Sequence, residues 1–278
     1  MSRHVLLAAV LCAAALPLPA LADRVISVGG TVTEIVYLLG EEDQLVATDT
    51  SSIYPKATDD LPKVGYQRTL SAEGVLSQQP ERLLITPATG PATVVAQLRD
   101  AGLLIAMIEA DEQSQAGIAD KIRQVARALN VPEKGDQAVK AMDEAFAALP
   151  APQWHEAPRI LFVMQATGSP MVAGEGTSAD ALIRMSGATN AAAGMKGYKT
   201  LTPEALVAAA PDAIMITTQG AERSGGAEAI WSVPGMSNTP AGEAKRVISL
   251  DALLALGLGP RTPEAIALIH QQLNQWDQ

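Results

Sequence analysis

The chain reads as an α/β protein built from two similar lobes. Three observations predict this. Short apolar runs of β type alternate with helical stretches, alanine and leucine dominate while aromatic residues make up only 3% of the chain, and one long phrase is written twice. Strands alternating with helices argue for a mainly parallel sheet covered on both faces. With 278 residues there is chain enough for two ordinary domains.

The elements follow in order. Residues 1–22 have the layout of a cleavable secretory signal: Arg3 and His4, an apolar run from Val5 to Leu16, then the small residues of Ala20-Leu21-Ala22. The run is too short to span a bilayer. The single cysteine, Cys12, lies inside it and follows Leu11, which is too large for a lipoprotein signal. A mature chain starting at Asp23 therefore has no thiol, no disulfide and no cysteine-based metal site, and a periplasmic location is expected. "RVISV" (Arg24 to Val28), a Gly29-Gly30-Thr31 turn and the helix "VTEIVYLLG" make a first βα unit. "QLVATD", "ERLLITP" and "LLIAMI" are the next strands of this lobe, residues 23–131. Two helices follow, about Ser114 to Leu129 and Pro132 to Leu149, the second with a favourable first-turn proline. "PAPQWHEAP" (Pro150 to Pro158) breaks the helix and marks a junction.

The pattern then restarts for the second lobe, residues 150–278. "RILFVM" resembles the opening strand, "TSADALIRMSG" is a capped helix, "DAIMITT" and "RVISL" are strands, and the latter nearly repeats "RVISV". "TPEAIALIHQQLNQW" is the last helix, with Thr262 as cap and Pro263 in its first turn. The doubled phrase is "LSAEGVLSQQPERLLI" (Leu70 to Ile85) against "LTPEALVAAAPDAIMI" (Leu201 to Ile216), aligned without gaps. Each copy reads as a capped helix, a proline-acid turn and a buried strand.

Enzyme signatures are missing: no P-loop, no G-x-S-x-G elbow and no dinucleotide glycine pattern. Outside the leader only His155 and His270 remain, so a histidine triad or zinc site is poorly supplied, and both read as surface or packing residues. The formal net charge of −10, with no basic stripe, argues against nucleic acid.

Tyr66 and Arg68, in "GYQRTLSAE", belong to a loop at one edge of a lobe, where parallel sheets gather ligands. A phenolate is a hard oxygen donor that suits ferric iron, haem iron included, and a nearby guanidinium favours the phenolate or pairs with a carboxylate. Spacing alone favours the simpler reading, a packed loop tyrosine beside a solvated arginine. Glu73 and Glu204 occupy matching places in the repeat. First-turn helix electrostatics explain both, and so does a matched acidic pair docking onto a two-fold, arginine-bearing partner.

The whole mature chain resembles the periplasmic haem-binding proteins of bacterial haem ABC importers, through "SVGGTVTEIVYLLG", "GYQRTLSAEGVLSQQPERLL", "LTPEALVAAAPDAIMITTQG" and "GLGPRTPEAIALI". The resemblance implies two Rossmann-like lobes joined by a single long helix, here residues 132–149, with ferric haem b carried in the cleft and no catalysis. It makes Tyr66 the axial iron ligand and Arg68 a propionate partner. Arg223 is the candidate second-lobe arginine beside the tyrosine, with Tyr198 and Lys199 also facing the cleft. Glu73 and Glu204 become the residues that engage arginines of the permease dimer, which works with its ATPase, the chain itself staying outside the membrane. The segment Val163 to Pro170 holds no histidine, which argues against a second, histidine ligand. Rival readings are a carrier of ferric siderophore or cobalamin, an α/β envelope enzyme, and a structural or adhesive exported protein.

Overall fold

A computed structural model describes residues 23–111, 113–165 and 170–276. The leader expected over residues 1–22, and residues 166–169 of the Val163 to Pro170 segment, lie outside the described residues.

The first lobe runs β1 (Val25–Ser27), α1 (Gly30–Leu38), β2 (Leu45–Thr48), α2 (Ala72–Leu76), β3 (Arg82–Ile85), α3 (Ala92–Asp100), β4 (Leu104–Met107) and α4 (Gln115–Ala128). Its sheet has the order β2-β1-β3-β4, parallel throughout. After α5 (Pro132–Ala147) come β5 (Arg159–Gln165), β6 (Met171–Ala173), α6 (Ser178–Met185), β7 (Thr189–Asn190), β8 (Tyr198–Thr200), α7 (Pro203–Ala209) and β9 (Ala213–Thr217). The chain ends through α8 (Thr218–Arg223), α9 (Pro240–Glu243), β10 (Val247–Leu250), α10 (Ala252–Leu256) and α11 (Thr262–Trp276). The second sheet has the order β10-β9-β5-β6-β8, with β7 also paired to β5. β10, β9, β5 and β7 are parallel, whereas β6 and β8 add on antiparallel. Each sheet buries apolar residues on both faces, so each lobe has two core layers. The molecule is thus α/β with two mainly parallel lobes.

The doubled phrase folds the same way twice. Ser71 Oγ accepts from the Gly74 N–H at the start of α2, and Thr202 Oγ1 from the Ala205 N–H at the start of α7, both at 3.3 Å. Val75 and Leu206 seat the two helices, both fully buried. The turns that follow put Gln79 at φ 49° and Ala210 at φ 41°, left-handed backbone without glycine in either lobe. Arginines at the start of the leading strands brace these turns: Arg24 donates to the Gln78 and Gln79 carbonyls, Arg159 to the Ala209 carbonyl. β3 and β9 then lie beside β1 and β5 in the same order and direction. The strand likeness between "RVISL" and "RVISV" is a different matter. β10 pairs outside β9 and occupies the place of β4, so its similarity to β1 reflects two buried strands of like composition, not equivalent positions.

α5, about 24 Å long at 1.5 Å per residue, bridges the lobes. Val139 and Met142 pack into the first lobe, and Phe146 touches cores of both. Gly135 lets α5 approach α4, since a Cβ there would lie 2.5 Å from the Ala126 methyl.

A second junction forms between the loop before α11 and the start of α1. Thr31 Oγ1 donates to the Gly257 carbonyl at 3.0 Å, and Lys121 Nζ to the Leu258 carbonyl at 3.3 Å. Side chains at Gly257 or Gly259 would collide with Thr31, at 2.8 and 2.9 Å. Arg261 pairs with Glu34 at 3.2 Å and stacks 3.5 Å above the Tyr54 ring. Burial pushes the Glu34 carboxyl above its ordinary value, against the opposing pull of Arg261. Thr262 does not cap α11 as expected. It is the first helical residue, and its hydroxyl donates to the Gly259 carbonyl, so it closes this loop instead.

Candidate functional site

The loops beyond the carboxyl ends of β1, β2 and β3 converge on Tyr66. Two amides at the entry to α1 are held by the neighbouring loop: Gly29 N–H donates to Asp49 Oδ1 and Gly30 N–H to Ser51 Oγ. Asp49 also accepts from the Ser52 hydroxyl, which meets Thr33 and, through it, Ser27, in a buried polar network. Lys63 clips the loop shut, donating to Thr48 Oγ1 and to the carbonyls of Ser52 and Thr58. Burial holds its ammonium below the usual lysine range. The loop so fixed reaches the tyrosine directly, because the Thr50 N–H donates to the Gly65 carbonyl at 2.8 Å.

Residues Gln67–Thr69 form one 3₁₀ turn, closed by the Thr69 N–H on the Tyr66 carbonyl. Two bonds to Gly90 pin its far side: Gly90 N–H donates to Gln67 O, and Leu70 N–H to Gly90 O. The backbone is held on three sides while the Tyr66 and Arg68 side chains stay exposed. Arg68 forms no ion pair among the described residues. It does act on the other lobe. Desolvation raises the Tyr198 hydroxyl above its ordinary value, and the Arg68 guanidinium pulls it back. The charge of Arg68, in the first lobe, is thus felt at the Tyr198 hydroxyl in the second.

Tyr54, Tyr66 and Tyr198 are the exposed aromatic residues of the described chain; Tyr54 meets Arg261 of the second lobe, and Tyr198 feels Arg68 of the first. Tyr54 was not singled out in the sequence. Its signal was weak, an aromatic in the polar run "TSSIYP" after β2, and its partner Arg261 is far away along the chain.

The other expected residues are placed as follows. Lys199 follows Tyr198 on β8, so alternation directs the two side chains to opposite faces, and they do not line one surface together. Arg223 ends α8, beyond the carboxyl end of β9, exposed and without an ion pair among the described residues. Glu73 and Glu204 stand exposed in the first turns of α2 and α7. Glu204 is held below the usual carboxylate range by its own backbone N–H and, less, by the Thr202 hydroxyl. His270 is buried, 2.8 Å from the Ser186 carbonyl and edge-on to Trp154, a packing residue as expected. Among the described residues no group of three His, Cys, Asp or Glu side chains could hold a metal ion, and no helix is long and apolar enough to cross a membrane.

A family model described as periplasmic binding protein matches residues 25–254. The chain belongs to that family. Several solved periplasmic binding proteins share its architecture. The haem-binding protein BhuT, solved with two haems, is 42% identical with a TM-score of 0.86, covering 91% of this chain and 98% of its own. The haem-binding protein RhuT from Roseiflexus sp. RS-1, solved in apo form, is 37% identical with a TM-score of 0.87, covering 92% and 100%. More distantly, a vitamin B12-binding protein of Vibrio parahaemolyticus is 27% identical, over 88% of this chain and 86% of the relative. The family supports a substrate-binding role for this periplasmic binding protein rather than a catalytic one.

Proposed function

We propose that this periplasmic binding protein captures ferric haem between its lobes and hands it to an ABC importer. The observation that carries the reading is Tyr66: an exposed phenol on a backbone fixed from three sides, with a guanidinium two residues away that forms no ion pair among the described residues. An exposed tyrosine on a rigid turn loses little freedom when it binds iron, and phenolate is an established haem-iron ligand. Tyr54 and Tyr198 supply apolar ring surface for a flat macrocycle. In this reading Arg68 pairs with a propionate from the first lobe, and Arg223 from the second. The haem-binding relatives support this cargo over cobalamin, since they are the more similar group. Glu73 and Glu204 are the residues assigned to docking on the permease dimer, export to the periplasm by the 1–22 leader completes the scheme, and no step needs catalysis.

Hemin titration of the purified mature protein, followed by absorption, tests the reading. The parent is expected to develop a ferric phenolate spectrum that cyanocobalamin does not compete away. Tyr66→Ala is expected to lose that spectrum and bind at least ~100-fold more weakly, about 3 kcal/mol. An unchanged variant spectrum removes Tyr66 from the iron, and a parent that ignores hemin but binds cyanocobalamin replaces the cargo.

A further inference from the structure

The repeated helices carry more than their carboxylates. Glu73 is followed one turn later by Leu76, and Glu204 by Val207, which are 41% and 39% exposed. They are the only exposed large hydrophobic residues in either copy of the repeated segment, Leu70 to Ile85 or Leu201 to Ile216. Side chains three apart on a helix are neighbours, so each helix shows a carboxylate and an apolar side chain side by side.

The same bonds present the two pairs. Val75 and Leu206 fix the rotation of each helix by facing the core, Ser71 and Thr202 cap the starts, and Gln79 and Ala210 turn the chain away in the left-handed conformation. A single exposed leucine on a protein surface needs no explanation. The same exposure at the same place in both lobes, beside the same acid and with different side chains, is a matched feature. A merely solvated helix face gains nothing from leucine or valine there.

We infer that Glu73 with Leu76, and Glu204 with Val207, form two equivalent docking patches that plug into a two-fold symmetric membrane partner. Each partner subunit offers a cationic side chain beside an apolar pocket. The inference rests on the importer reading above. Duplication within one chain is how an asymmetric monomer meets two identical subunits with the same chemistry. The negative net charge of the chain complements a cationic surface. The carboxylates steer and orient the encounter, and the apolar side chains retain the complex when salt screens the charges.

The test measures binding of the haem-loaded protein to its cognate permease–ATPase complex in lipid nanodiscs at low and high salt. Leu76→Ser and Val207→Ser are each expected to weaken binding about fivefold, from loss of a half-exposed side chain's burial. The double variant is expected to lose about 25-fold, because the sites lie in separate lobes and add. These losses persist at high salt, whereas those of Glu73→Gln and Glu204→Gln shrink. Hemin spectra and melting temperatures of the serine variants stay at parent values, and Leu104→Ser, an exposed control on β4, leaves binding unchanged. Parent binding with an unaffected double variant overturns the apolar patches while leaving the importer reading intact. A parent that binds hemin but not the permease overturns the importer reading and the patches with it. A parent dimer in solution that the double variant dissolves also overturns the inference, since the covering partner is then a second copy of the chain.

Discussion

The first and second lobes share a segment down to its bond pattern, yet the few residues in front of it diverge completely. "GYQRTL" (Gly65 to Leu70) makes a 3₁₀ turn whose tyrosine stands clear of the backbone, while "GYKTL" (Gly197 to Leu201) runs as strand β8 along β6. One extra residue separates the two phrases. A turn tolerates that residue, whereas a strand of period two would have every later side chain sent to the opposite face. The lesson is that the repeat preserves what seats and caps a helix, and varies what faces the cargo. Tyr66 ends on a fixed pedestal, and Tyr198 on an antiparallel addition that the first lobe lacks.

Substitutions can break this comparison in order of expected effect. The largest concerns the contact between lobes, which neither copy of the repeat contains. Arg261→Met leaves the buried Glu34 carboxylate without its partner and is expected to cost about 3 kcal/mol near pH 8. Glu34 already titrates above its ordinary value through burial, and Arg261 is what holds it down. Without Arg261 its folded pKa rises further. A carboxyl whose folded pKa exceeds its unfolded one loses stability as pH rises between the two, so the variant recovers as pH falls towards 5. Urea unfolding at pH 5 and pH 8 measures this, and an equal loss at both shows that the pair carries no buried charge.

Smaller effects should be equal in the two lobes. Ser71→Ala and Thr202→Ala each remove one helix cap, for about 1 kcal/mol or about 2–4 °C in melting temperature. A loss confined to one lobe shows that the two helices are not seated alike. Smaller still, and of opposite sign, Gln79→Gly and Ala210→Gly relieve left-handed strain and are expected to stabilise by about 0.5 kcal/mol each. Destabilisation by either would mean that its side chain, not the backbone, holds the turn.

How far the sequence shows this depends on the range of the interactions. Helix caps, first-turn prolines and buried strand runs are local, and the repeat, α5 and most strands are legible from them. The β6–β8 addition is not, because strands of three residues carry too little periodicity and their placement is set by sheet pairing. Thr262 looks like a cap from its neighbours, but its hydroxyl bonds backwards into the loop. Tyr66 stands out through its glycine and the extra residue that follows it, and Arg68 through proximity. The pairing of Arg261 with Glu34, 227 residues apart, has no local signature at all. Tyr54 goes unnoticed for the same reason.

The loop at Gly257 to Arg261 has a mechanical consequence. Together with α5 it fastens one lobe to the other, and Gln113 adds a third tie, donating to the Gly176 carbonyl and accepting from Arg184. Each attachment removes some freedom of one body against the other. The lobes are thus stitched along a seam, and its exposed Gln113 bonds have to break before they can swing apart at that edge.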